Sequence, residues 1–227
     1  MRATAWKAAA RVPRRTNHPG IMTPSFIYFD LGNVLFTFDR ERAFGRMAAV
    51  SGSDAATVRA VVMAGGLQEA LERGAIDWLE FHATFSQRTG TTSEPTALAV
   101  AASDMFALNV AMLPVLAALD RMGMPLGILS NTCDPHWRHL LSGGFAILPG
   151  TFRHLVLSHE EGCLKPEAGI YARAAARAGV VPGSIFFCDD VAEHVAAARA
   201  AGWDAEVFTG AARLAGQLAK RGLNLGL

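Results

Sequence analysis

Four short segments bring side chains able to do chemistry to the ends of apolar runs. "FIYFD" ends in Asp30, "GILSNT" in Ser130, Asn131 and Thr132, and "IFFCDD" in Asp189 and Asp190, while Lys165 stands in "GCLKPEAGIY". Each has an ordinary explanation by itself. A strand-end Asp serves as a turn former or helix cap, "SNT" reads as a capping segment, and a lone Lys is solvated. The adjacent pair Asp189-Asp190 is harder to dismiss, because two carboxylates at the end of a buried strand repel unless a cation compensates them. A hard divalent ion with oxygen ligands fits that need. The order Asp, Ser, Lys, Asp-Asp then makes chemical sense for a phosphate ester. Mg²⁺ held by Asp30 with Asp189 or Asp190 would neutralise the phosphoryl oxygens. Lys165 would add a point charge, and Ser130 with nearby backbone N–H groups would donate hydrogen bonds. Asp30, ionised at neutral pH at the ordinary carboxylate pKa, would attack as the nucleophile and form an aspartyl-phosphate that water later hydrolyses.

These groups need elements to hold them. Strand-like runs recur at "FIYF" (26–29), "PLGILS" (125–130), "HLVLS" (154–158), "SIFFC" (184–188) and, more weakly, "AEVF" (205–208). Between them lie Ala-rich helical patterns such as "PEAGIYARAAARAG" and "VAEHVAAARAAG", each closing on Gly. Pro166 falls at the expected first helical position after Lys165. Strands alternating with helices predict a parallel α/β sheet, a Rossmann-like core with helices on both faces.

Residues 39–112 break the alternation and read as helix throughout. The expected organisation is an N-terminal extension (1–23), a core made of 24–38 and 113–227, and an inserted helical cap (39–112). Ligands of open α/β sheets sit beyond the carboxyl ends of the strands, so a module inserted after the first strand would lie over the site. Within it, Gly65 and Gly66 permit a bend, and Glu69 or Glu72 would face a substrate. Against this, Glu69 and Arg73 also have the i, i+4 spacing of an ordinary exposed helix pair.

From about residue 25 to 208 the sequence resembles the haloacid dehalogenase-like (HAD) hydrolase superfamily. The resemblance rests on "FDLGNVLFTFD", "GILSNTCDPHW", "LSHEEGCLKPEAGIY" and "IFFCDDVAEHVAAARAAGW", in that order. It is nearest to the helical-cap branch with small sugar-phosphate phosphatases of the α-D-glucose-1-phosphate phosphatase type. The resemblance implies a four-helix-type cap and a Mg²⁺-dependent phosphohydrolase. It also implies Asp30 as nucleophile, Ser130 and Asn131 as phosphate-binding residues, Lys165 as charge stabiliser, and Asp30, the Gly32 carbonyl, Asp189 and Asp190 as the metal group.

Two positions depart from the pattern. Gly32 stands where most phosphatases of the superfamily have a second Asp that protonates the leaving group. Its carbonyl survives but the acid is gone, a loss on the order of 10²–10⁴ in rate unless another group substitutes. His136 is the nearest substitute in the sequence, although a helix-surface position is its expected setting. His194 replaces the Asn usual in this branch, where it would support the metal site or Lys165 from behind. Gly32 also opens a second class, the metal-independent 2-haloacid dehalogenases, which the plain Asp189-Asp190 pair disfavours. A non-catalytic phosphoester-binding protein is the third, and intact Asp30 and Lys165 argue against it.

Composition limits the partners. The net charge of +1 includes five basic groups and no acid in residues 1–21, leaving −4 for the rest, which gives no support for nucleic-acid binding. Those residues lack an apolar signal core and read as an unstructured tail or an early start before Met22, with a transit peptide as the alternative. Cys133, Cys163 and Cys188 have no pairing or zinc spacing, so reduced thiols are expected. No apolar run reaches the roughly 18–20 residues of a membrane span. The expected setting is cytoplasmic, as a monomer or homodimer acting on a small phosphorylated substrate.

Overall fold

The structure, a computed structural model, describes residues 22–145 and 147–227; the N-terminal tail expected from the sequence lies outside the described residues apart from Met22 and Thr23. Five strands form a parallel sheet in the order β5-β4-β1-β6-β7. They are β1 (Phe26–Phe29), β4 (Leu126–Ser130), β5 (His154–Leu157), β6 (Ile185–Asp189) and β7 (Asp204–Val207). The central strand β1 pairs with β4 on one side, Ile27 opposite Leu126, and with β6 on the other, Ile27 opposite Phe186.

The near-continuous apolar runs are what a sheet covered on both faces requires, because successive side chains alternate between faces. Ile27 and Phe29 join Ile128, Phe186 and Cys188 in one core cluster, beneath the helices Leu113–Arg121, Asp134–Ser142 and Ala211–Lys220. Phe26 and Tyr28 join Leu129, Ile185 and Phe187 in the other, beneath Ala168–Ala178 and Ala192–Ala200. Tyr28 explains Gly127 on the neighbouring strand: a Cβ there would lie 2.4 Å from the tyrosine ring.

The helical block runs from Arg40 to Ser103 around its own cluster of Phe44, Met47, Val58, Leu71, Phe81 and Phe85. Asp39 caps its first helix, Arg40–Ser51, by accepting from Arg42 N at 3.1 Å. Asp77 and Glu80 form a capping box that starts the helix Trp78–Thr89. A ribbon that the sequence reading missed carries the chain into and out of this block. β2 (Phe36–Phe38) pairs antiparallel with β3 (Phe106–Leu108), Phe38 opposite Phe106. The three residues of β3 follow the apolar helix Pro95–Ser103 directly, so helical periodicity masks them. Lys165 and Pro166 are also placed differently from expectation. They belong to a turn, and the following helix begins only at Ala168.

Candidate functional site

The carboxyl ends of the three adjacent strands β4, β1 and β6 deliver Ser130, Asp30 and Asp189 to one place. Lys165 reaches the same place from the turn beyond β5. Its ammonium lies 2.7 Å from Asp30 Oδ1 and 2.5 Å from Asp189 Oδ2, with only 3% of the residue exposed. Burial opposes the lysine's charge, but the two carboxylates outweigh it and raise its pKa. Two carboxylates sharing one ammonium are driven apart. Burial pushes Asp30 above the ordinary carboxylate range against the pull of Lys165, and the charge on Asp189 adds to the rise. Burial opposes ionisation of Asp189 too, yet Lys165 and His194 together hold its carboxyl below the usual range.

Hydrogen bonds divide the carboxylate oxygens between tasks. Asp30 Oδ1 accepts from Lys165 and from Leu31 N at 2.7 Å. Its Oδ2 has no such partner among the described residues and is the oxygen left for chemistry. Asp189 is surrounded: Oδ1 accepts from Val191 N at 2.8 Å, and His194 Nδ1 lies 3.1 Å from both oxygens. Asp190 is half-buried and accepts from Asn33 Nδ2 at 2.8 Å. Asn33 holds that orientation from a left-handed backbone, φ 54°, within the tight turn after Asp30.

Oxygens of Asp30, Asp189 and Asp190 lie within 4.8 Å of one another. Three carboxylates around a single lysine leave excess negative charge, so this all-oxygen donor set fits a hard divalent cation. With Asp189 enclosed by Lys165, Val191 and His194, Asp30 Oδ2 and Asp190 are the groups left most open to such an ion.

Asn131 uses its side chain differently from the sequence expectation. Its Nδ2 donates to Lys165 O at 2.9 Å and its Oδ1 accepts from Lys165 N at 2.8 Å. Both ends of the amide therefore grip the lysine's main chain and aim its side chain. Ser130 is buried, and among the described residues its hydroxyl makes only a long contact to Asn131 O, 3.4 Å.

His136 does not lie on a helix surface as its sequence setting suggests. It is 7% exposed, packs against the Phe106 ring at 5.4 Å, and burial pulls its pKa down to about 4. Its imidazole is therefore neutral near pH 7 and holds no proton as a cationic acid. At Gly32 a Cβ would come within 2.8 Å of Phe38 Cε1. The φ of Gly32 is not positive, so the ring, and not the backbone, requires glycine here.

Sequence reasoning missed Ser158, which is wholly buried. Its hydroxyl contacts Glu72 O at 2.6 Å and Thr132 O at 3.0 Å, and accepts from Thr132 N at 2.9 Å. It thereby ties the helical block to the loop after β4. Arg73 adds an ion pair to Glu167 at 2.7 Å as well as its pair with Glu69. Nothing in the local pattern around Ser158 marks it, since its partners lie 26 and 86 residues away.

A parallel α/β core that gathers an aspartate, a lysine and an acidic pair at the carboxyl ends of its central strands defines a hydrolase of Rossmann-like architecture. The chain belongs to the haloacid dehalogenase-like hydrolase family, which it matches over residues 25–202. No curated protein sequence matches it significantly. Among solved structures it is similar to a HAD family enzyme of Bacteroides thetaiotaomicron in complex with magnesium and inorganic phosphate. That likeness has 24% identity and a TM-score of 0.74, covering 84% of this chain and 96% of that one. It is similar also to a predicted HAD-like family hydrolase from Porphyromonas gingivalis, at 26% identity and TM-score 0.70, covering 82% of this chain and 91% of that one. The L-2-haloacid dehalogenase of Xanthobacter autotrophicus shares the fold at 20% identity and TM-score 0.58, covering 80% and 76%. Among the described residues no helix is long and apolar enough to cross a membrane.

Proposed function

We propose that the protein is a Mg²⁺-dependent phosphohydrolase of small phosphorylated metabolites, with Asp30 as nucleophile. The observation that supports this best is the cluster of three carboxylates within 4.8 Å of one another, two of which, Asp30 and Asp189, share one buried lysine. Asp30 Oδ2 attacks phosphorus and the bond to the leaving oxygen breaks, giving an aspartyl-phosphate and an alcohol. Water then attacks that phosphorus and releases inorganic phosphate, restoring the carboxylate. Lys165, aimed by Asn131, offsets negative charge as the phosphoryl group moves. Ser130 and the main chain of Asn131 donate to the phosphoryl oxygens. Asp30, Asp190 and the Gly32 carbonyl, with Asp189 behind them, would hold Mg²⁺, which when bound would supply charge neutralisation at the phosphoryl oxygens. The leaving oxygen takes its proton from a group other than residue 32, which has no side chain. The helical block acts as a cap over this site.

The likeness to a relative solved with magnesium and phosphate supports the same reading. The dehalogenase likeness favours a second one, halide displacement by Asp30. Unlike a phosphoryl group with a divalent ion, however, a bare carboxylate substrate would meet excess negative charge with Lys165 already shared between two acids.

Phosphate release from a panel of small phosphoesters, with Mg²⁺ and with chelator, tests the proposal. Release should require the metal and vanish in Asp30→Asn. Halide release from 2-chloropropionate that ignores chelator would transfer the assignment to the dehalogenase.

A further inference from the structure

Between the helical block and the core lies a cavity partly open to solvent. Its floor is Gly32, Ser130, Asn131 and Thr132, so it continues directly from the catalytic groups. Phe38, Phe44, Met47, Met63, Trp78 and Phe106 are among the apolar residues of its wall.

The polar groups facing it are few, and several are already engaged. Trp78 Nε1 donates to Pro95 O at 2.9 Å. The Asn131 amide is committed to Lys165. The Arg40 guanidinium lies over the Phe38 ring at 5.0 Å. Beside Ser130, whose hydroxyl has the long contact to Asn131 O, Thr132 and Glu72 keep capacity for a further bond. Thr132 Oγ1, on a residue 2% exposed, makes no hydrogen bond among the described residues. Glu72 receives one bond from Gln68 Nε2 at 2.9 Å, and burial raises its carboxyl's pKa. Its main chain is fixed to the core by Ser158, which sets its carboxyl over the cavity. Glu69, by contrast, is absent from the lining and pairs with Arg73 outside.

We propose, resting on the phosphohydrolase reading, that the substrate is the phosphate ester of a small alcohol with an apolar body and one hydrogen-bond-donating head, an ammonium or hydroxyl, received by Glu72. A sugar phosphate would bring several hydroxyls against aromatic and thioether surface, where each unpaired group is penalised. An apolar body instead buries against the same wall. Glu72 offers acceptor oxygens, which selects a donor head.

The test compares kcat/KM for 4-(aminomethyl)phenyl phosphate, phenyl phosphate and glucose 1-phosphate in the natural protein and in Glu72→Leu. The amino-bearing ester should lead phenyl phosphate, whose leaving group is of the same kind, by at least about tenfold, the scale set by pocket contacts. Glu72→Leu should abolish the advantage of the amino ester over phenyl phosphate, through KM, while phenyl phosphate turnover reports that the variant is folded. Preference for glucose 1-phosphate, or an unchanged ratio in Glu72→Leu, overturns the inference and leaves the phosphohydrolase intact. Failure of every ester to release phosphate overturns the phosphohydrolase instead. In that event, titration of tryptophan fluorescence with 4-(aminomethyl)phenol and with glucose, using Trp78→Phe as control, judges the cavity alone. A saturable Trp78 response to the phenol only upholds its chemistry, and no response to either refutes it.

Discussion

Lys165→Met isolates the electrostatics of the site without adding bulk. The ammonium it removes lies 2.7 Å from Asp30 and 2.5 Å from Asp189, in a setting where the three side chains are 1%, 10% and 0% exposed. Taking one partner from a buried ion pair costs about 3–5 kcal/mol, because the remaining charges lose their compensation in a poorly screened environment. Here two like charges remain, so the upper half of that range is expected against a total stability of about 5–15 kcal/mol. The sign of the pH dependence follows. Without Lys165 both carboxyls bind protons more tightly folded than unfolded, where the ordinary pKa is about 3.9. The stability of the variant therefore falls as pH rises from 5 to 8. Mg²⁺ should recover part of the loss by supplying the missing positive charge, and Asp30→Asn in the same chain should recover part in chelator by removing one negative charge. Urea denaturation followed by circular dichroism in chelator, at several pH values, measures all of this. A cost under about 1 kcal/mol at pH 8, or single-variant costs that simply add in the double variant, would refute the coupled buried triad.

Two further outcomes follow from positions around it. Gly32→Ala should lose about 1 kcal/mol, because its Cβ meets the Phe38 ring at 2.8 Å, and the loss should disappear in a Phe38→Ala background; equal costs in both backgrounds, read from denaturation midpoints, contradict the contact. Burial holds the pKa of His136 down to about 4, whereas the unfolded chain takes up that proton near 6.5. The contribution is complete above pH 6.5 and falls by up to about 3 kcal/mol as pH drops to 4. His136→Leu should flatten that part of the stability profile, and an unchanged slope would mean that the imidazole charges without penalty.

The sequence by itself determined the strands and the residues at their ends. A strand buried on both faces must be apolar along its length, so Asp30, Ser130 and Asp189-Asp190 stand out wherever such a run stops. Order along the chain and the parallel arrangement then require these ends to meet. Glycine stops marked helix ends for similar local reasons. What the tertiary structure alone decided is the identity of partners. Asn131 holds a main chain 34 residues away, and Ser158 joins Glu72 to Thr132 across the molecule. His136 looked like a surface residue because its helix gives no sign that Phe106 and the returning β3 cover it. Glu69 and Glu72 are indistinguishable by type, and only packing turns one to Arg73 and the other to the cavity. At Gly32, the residue whose side chain is missing, the sequence recorded an absence and the fold supplied its cause. An aromatic ring from β2 stands where that side chain would be, because the turn from Asp30 brings residues 32 and 38 within van der Waals reach.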